Sequence, residues 1–313
     1  MTTPLIGSGN IDDEFHIPTS DEVEWSETCW FTFAIPERNM SVQFYPYFRA
    51  NLGVAAGAVY VWDGAADQLS TARYAKNFWH LPMPVTPLSD LHMDNGITCR
   101  ATEALSRYTI GYDDPDGGDL HIDLDVRCID APFRLHTHYD QATRATGTIV
   151  LDGEAIAVDC VGFRDRSWSV RSQFGSTVMG PARYAPYTWG TQANDDGFFS
   201  MCGDFGNGAI NVHGFLRRDS QQAKIASGTH RVLQRDDTTG YPTRVVVVGT
   251  DELERTFTAE GRATNGFGWN INPNLYTINS LMHWSIDGVE AHGEQHDNWS
   301  AASIREFHRT RHA

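Results

Sequence analysis

Hydrophobic residues in this chain recur with a period of two, and that pattern constrains the fold more than any other feature. In DLHIDLDVRCID, Leu120, Ile122, Leu124, Val126 and Cys128 alternate with His121, Asp123, Asp125 and Arg127. This is the signature of a strand with one buried and one wetted face. Asp-Gly dipeptides separate β-rich runs at Asp152-Gly153 and Asp287-Gly288, and a third stands at Asp63-Gly64. These residues tolerate positive φ and predict tight hairpins. MSVQFYPYF, SRYTIGY, GAINVHGFLRR and TRVVVVGT read as further strands. The helix predicted is C-terminal, in NWSAASIREFHRT, where Ile304 and Phe307 share a face. Strands without intervening helices predict antiparallel sandwiches or barrels, not a parallel α/β sheet. The 313 residues are enough for two such units, with a division placed at 158/159: residues 1–158 and 159–313.

Composition narrows the partners. The formal charge is −16, from 40 acidic and 24 basic side chains. That balance excludes a phosphate-neutralising surface, so no nucleic-acid partner is expected, and it disfavours an anionic membrane. No run is long and apolar enough for a membrane span. The five cysteines, at 29, 99, 128, 160 and 202, form no CxxC pair and suit a reducing compartment. The acidic N-terminus has no apolar core of a secretory signal, which predicts a cytoplasmic location. Motifs for a dinucleotide, a phosphate loop, a nucleophile elbow or an HExxH zinc site are absent. His292-x-Glu294-x-His296 would place three ligand types on one strand face, but a solvated strand face is the plainer reading. No metal and no organic cofactor is expected.

The stretch CVGFRDRSWSVRS carries the chemistry. Alternation puts Phe163, Asp165 and Ser167 on one face and Arg164, Arg166 and Trp168 on the other. A carboxyl turned into an aromatic barrel loses solvation, which raises its pKa and lets it donate a proton at neutral pH. The alternative is that Asp165 pairs with Arg164 or Arg166 and fixes a strand end. Upstream, APFRLHTHYD sets His136 and His138 on one face of a predicted strand, as proton relay, metal pair or pH-sensitive surface. Aromatic side chains at Tyr45, Trp79, Tyr187, Trp189 and Trp269, with Phe163 and Trp168, are candidates to line an apolar pocket and stabilise a cation.

At these residues the chain resembles the lipocalin-like family of carotenoid 1,2-hydratases (hydroxyneurosporene synthases) and their uncharacterised bacterial relatives. WSETCWFTF from Trp25, GFRDRSW from Gly162 and HGEQHDNW from His292 carry the resemblance. It implies an all-β fold: two lipocalin-like antiparallel β-barrel or sandwich units packed together, with a short C-terminal helix and no metal or cofactor. It also implies that Asp165 protonates an isoprenoid double bond, with water capturing the carbocation. The family's Tyr two residues before that Asp is Phe163 here. Its His-x-Trp pair corresponds to His136-Thr137-His138, with His138 in place of the aromatic, and its final Gly is Ser169.

Three functions follow. The first is an acid-catalysed hydratase, dehydratase or allylic isomerase for a small, apolar isoprenoid-like (terpenoid) substrate. Asp165 would be its general acid, and His136 or His138 would orient that acid or handle water. The second is a non-catalytic carrier of a terpenoid, steroid or lipid. The third is a pericyclic cyclase that needs no proton from Asp165.

Overall fold

The computed structural model describes residues 11–171, 183–272 and 274–311. The chain is all-β: the described residues form twenty strands and one short C-terminal helix, and every pairing between named strands is antiparallel. It divides into two units. The first comprises Met1–Ile35, Val42–Val61 and Tyr74–Arg171, and the second Pro36–Ser41, Trp62–Arg73 and Ser172–Ala313.

In the first unit, eleven strands form one curled sheet. They are β1 (Trp25–Ile35), β2 (Met40–Arg49), β3 (Val54–Trp62), β4 (Tyr74–Pro82), β5 (Asp90–His92), β6 (Ile97–Glu103), β7 (Arg107–Asp113), β8 (Leu120–Cys128), β9 (Phe133–Leu135), β10 (His138–Leu151) and β11 (Glu154–Val170). The order is β4-β3-β2-β1-β11-β10-β8-β7-β6-β5, and β9 pairs with β10. The alternation predicted for residues 120–128 is present residue for residue, since Leu120, Ile122, Leu124, Val126 and Cys128 are all buried. Asp152 and Gly153, at φ 53° and 79°, close the β10–β11 hairpin in the doubly left-handed form that matches strand twist.

The second unit closes on itself. Its strands are β12 (Tyr184–Gln192), β13 (Gly197–Asp204), β14 (Ala209–Arg218), β15 (Gln221–Arg235), β16 (Pro242–Asp251), β17 (Thr256–Ala263), β18 (Phe267–Asn272), β19 (Leu275–Ile286) and β20 (Val289–Ser300). They run in the order β17-β16-β15-β14-β13-β12-β20-β19, and pairing of β17 with β19 completes an eight-stranded barrel that leaves β18 outside the ring. Phe198, Leu216, Ile225, Val245, Val247, Phe257, Met282, Trp284 and Ile286 fill it. The Trp284 ring fits because two glycines face it: a Cβ on Gly190 would come within 2.9 Å of the ring and one on Gly261 within 2.5 Å. Helix α1 (Ala301–Arg311) buries Ile304 and stacks Phe307 on Trp299, with ring centroids 5.3 Å apart.

Two expectations change. Asp63-Gly64 does not close a tight hairpin. Val61 pairs with Tyr74, so the whole stretch Trp62–Arg73 intervenes and belongs to the second unit. The division set at 158/159 falls inside β11, a continuous strand, and the passage between units comes at Arg171/Ser172.

Candidate active site

Three neighbouring strands of the first unit carry the candidate residues in register. Across β1, β11 and β10, Trp30, Asp165 and Asp140 are direct partners, as are Thr28, Ser167 and His138. Direct partners in an antiparallel ladder project to the same side. His138, Asp140, Phe163, Asp165 and Ser167 therefore share one face. Around His138 the geometry is tight. Its Nδ1 lies 2.6 Å from Ser167 Oγ and its Nε2 lies 2.9 Å from Asp140 Oδ2, a carboxylate that is fully buried. Burial alone would lower the imidazole's pKa. The Asp140 charge and hydrogen bond, with Asp165 adding to them, outweigh it and hold His138 above its ordinary value.

Asp165 has no such support. Its Oδ1 is buried and has no hydrogen-bond partner among the described residues. Burial raises its pKa from the ordinary 3.8 to about 6. The charges of His138, Arg171 and Arg166 oppose the rise, and that of Asp140 adds to it. Tyr45 is close enough to feel that charge. Its hydroxyl is pushed up, first by burial and also by Asp165, while Arg171 opposes.

The arginines do not pair with Asp165, because both turn to the other face. Arg164 donates from Nη2 to Asp13 Oδ1 at 3.2 Å and to Tyr139 Oη at 2.7 Å, and its guanidinium stacks 4.1 Å from the Tyr108 ring centre. Arg166 donates to Glu27 Oε2 at 3.0 Å and to the backbone oxygens of Thr28 and Glu14, both at 3.1 Å. The face that holds Phe31, Tyr108 and Tyr139 is thus the arginine face. Asp165 lies on the opposite face, with Trp30 as its direct partner on β1 and Phe163 fully buried beside it.

His136 and Trp168 do not join the face of Asp165. His136 and His138 do not share a strand face: His136 sits exposed in the turn between β9 and β10 at φ 53°, where histidine is among the tolerated side chains. Trp168, on the arginine face, stacks on His16 at 3.9 Å and lines an apolar cleft of about 410 Å³ with Trp25, Ile17 and Val170. Trp79 is exposed on β4, the strand at one end of the sheet order. Tyr187, Trp189 and Trp269 belong to the second unit. There Tyr187 stacks on His296, Trp189 is fully buried, and Trp269 packs with Phe267 and Trp62. In the sequence triplet at 292–296, Glu294 Oε2 is 2.9 Å from His296 Nε2. The reading from sequence passed over Asp140, although its signal was present: alternation from His138 puts Asp140 on the same face.

Among solved structures, the chain is similar to a Nitrosomonas europaea protein assigned as AttH, at TM-score 0.64 and 12% identity over 95% of this chain and 98% of that one. It is also similar to kievitone hydratase from Nectria haematococca, at TM-score 0.56 and 10% identity over 96% of each chain. A third is CghA, solved with Sch210972, at TM-score 0.53 and 12% identity over 95% of this chain and 96% of that one. These likenesses establish the lipocalin-like fold. No curated protein matches the sequence. A family model does match, over residues 9–301, and the chain belongs to that family, the domain of unknown function DUF7064.

Proposed function

We propose that the face bearing Asp165 is the active site of an acid–base enzyme that adds water to an isoprenoid alkene, removes it from the alcohol, or shifts the double bond, using side chains alone. One observation carries this reading. Asp165 presents a buried carboxyl oxygen with no hydrogen-bond partner among the described residues, on the same strand face as His138, whose Nδ1 meets Ser167 Oγ and whose Nε2 lies 2.9 Å from the Asp140 carboxylate. Protonated Asp165 delivers its proton to the alkene carbon, and a tertiary carbocation forms. Water adds to that cation, and the proton it sheds passes to His138 or back to Asp165. Removal of water runs the same steps in reverse, and loss of a different proton gives the isomer. Asp140 and Ser167 position His138 and touch no substrate. The resemblance to carotenoid hydratases around Gly162–Trp168, and a fold shared with a protein named as a hydratase, both support the assignment.

The test is incubation with an unsaturated terpene alcohol in ¹⁸O-labelled water, with mass spectrometry of the products. Wild type is expected to incorporate label, and Asp165→Asn is expected to lose about 10²-fold or more of the rate while still binding the alcohol. Full turnover by the Asn variant to an unlabelled rearranged product would point to a pericyclic reaction. Tight binding with the alcohol recovered unchanged by wild type would point to a carrier.

A further inference from the structure

Far along the second unit's sequence, the β19–β20 hairpin brings together three side chains that the proposed reaction does not use. His283 and His292 are direct partners across the two strands, and Glu290 stands opposite Ser285, two pairs nearer the turn at Asp287-Gly288. Met282, Trp284 and Ala291 point into the barrel core, so by alternation His283, Glu290 and His292 all project outward from the same patch. His283 Nε2 lies 2.8 Å from Glu290 Oε1, and His292 Nε2 lies 3.6 Å from that same oxygen. All three ligand atoms fall within 4.8 Å of one another.

We propose that His283, Glu290 and His292 bind a divalent transition-metal ion of the zinc class, through two imidazole Nε2 atoms and one carboxylate oxygen, leaving a fourth position open. Nitrogen and oxygen ligands about 2.0–2.1 Å from a tetrahedral ion stand about 3.3 Å apart, and the two measured separations bracket that spacing. Small side-chain rotations seat the ion without moving the strands. A donor set of two imidazoles and one carboxylate favours zinc, nickel or copper over calcium or magnesium, which take oxygen ligands. His292 is already suited to ligation. It is half-buried, and its Nδ1 has no hydrogen-bond partner among the described residues, so Nε2 is the nitrogen that faces the other two donors. An ordinary His–Glu hydrogen bond accounts for His283 and Glu290 but leaves the approach of His292 to the same oxygen without a role. An ion there clamps the two strands just before their turn.

The experiment titrates the full chain, first stripped with chelator, with Zn²⁺ by calorimetry, and with Co²⁺ by visible absorption to report tetrahedral coordination. The expected result is saturable one-to-one binding that weakens at least tenfold in His283→Ala and in His292→Ala, and more modestly in Glu290→Gln. His121→Ala, at an exposed His–Asp pair of the first unit, serves as control and should bind as wild type does. Circular dichroism confirms that each variant is folded. The proposal is overturned if the His283→Ala/His292→Ala double variant binds as tightly as wild type, or if the control loses affinity as much as the site variants do.

Discussion

Replacing Asp165 with Asn should stabilise the protein at neutral pH. In the native chain the carboxyl titrates near 6, against the ordinary 3.8, because burial disfavours its charged form. An acid whose pKa is raised by folding adds full stability only below the unfolded value, and loses it as pH rises through the folded value. Once Asp165 is ionised, the cost approaches about 3 kcal/mol, at ~1.4 kcal/mol for each tenfold in the proton equilibrium. The residue is only half-buried, and the amide keeps a polar atom that lacks a partner, so about 2 kcal/mol is the working figure for the Asn variant at pH 7. For a unit of this size, that corresponds to a rise in Tm of roughly 4–8 °C.

The pH dependence of the difference separates this account from its rivals. At pH 4 both side chains are largely neutral, and the gain should shrink to about 0.5 kcal/mol or less. Urea denaturation followed by tryptophan fluorescence at pH 4, 5.5 and 7 measures it, with the melting temperature at each pH as a second readout. If Asp165 were ion-paired in the folded state, the Asn variant would be the weaker protein at pH 7. That outcome, or a stability difference that does not change with pH, would refute the desolvated-carboxyl argument.

Two other outcomes follow from the same geometry. If Asp165 is the proton donor, kcat/KM should be highest below pH 6 and fall about tenfold for each pH unit above it; a rate that climbs through pH 6 would make the carboxylate a base. Asp13 accepts hydrogen bonds from Tyr108 Oη, Leu105 N and Arg164 Nη2, so Asp13→Asn leaves a buried guanidinium short of its counter-charge and should cost about 3–5 kcal/mol in urea denaturation, whereas a loss under about 1 kcal/mol would show that the pair is dispensable.

The sequence made the class of fold readable because the signal for it is local. Period-two burial at Leu120–Cys128 and the paired positive φ angles at Asp152-Gly153 and Asp287-Gly288 each depend on a few adjacent residues. The local signal failed where distant segments decide the outcome. Asp63-Gly64 has turn chemistry, yet the stretch from Trp62 to Arg73 packs with a barrel whose first strand begins at Tyr184, and no nearby residue records that. At 136–138 alternation was extended across a boundary. The hairpin takes His136 and Thr137 for its turn, so the strand face begins at His138 and includes Asp140 rather than His136.

Alternation divides the residues around Asp165 between two faces, but it does not say which face holds the core. A carboxyl among aromatic residues reads as inward and an arginine as outward, because an unpaired guanidinium is costly to bury. Arg164 and Arg166 escape that cost through partners far away in the sequence: Asp13 and Glu14 in the N-terminal segment, and Glu27 and Thr28 on β1. With those contacts in place, the arginine side holds the cluster of Phe31, Tyr108 and Tyr139, and Phe163 and Asp140 on the opposite face are fully buried as well. Asp165 is left on the other face, where its Oδ1 has no hydrogen-bond partner among the described residues. Buried polar groups that serve the fold are normally satisfied, so an orphaned carboxyl oxygen on the same face as a histidine held by Ser167 and Asp140 calls for a different explanation. On the proposed reading the oxygen stays open for a substrate alkene that takes its proton, and the stability gained on converting Asp165 to Asn would measure what the chain gives up to keep that position open.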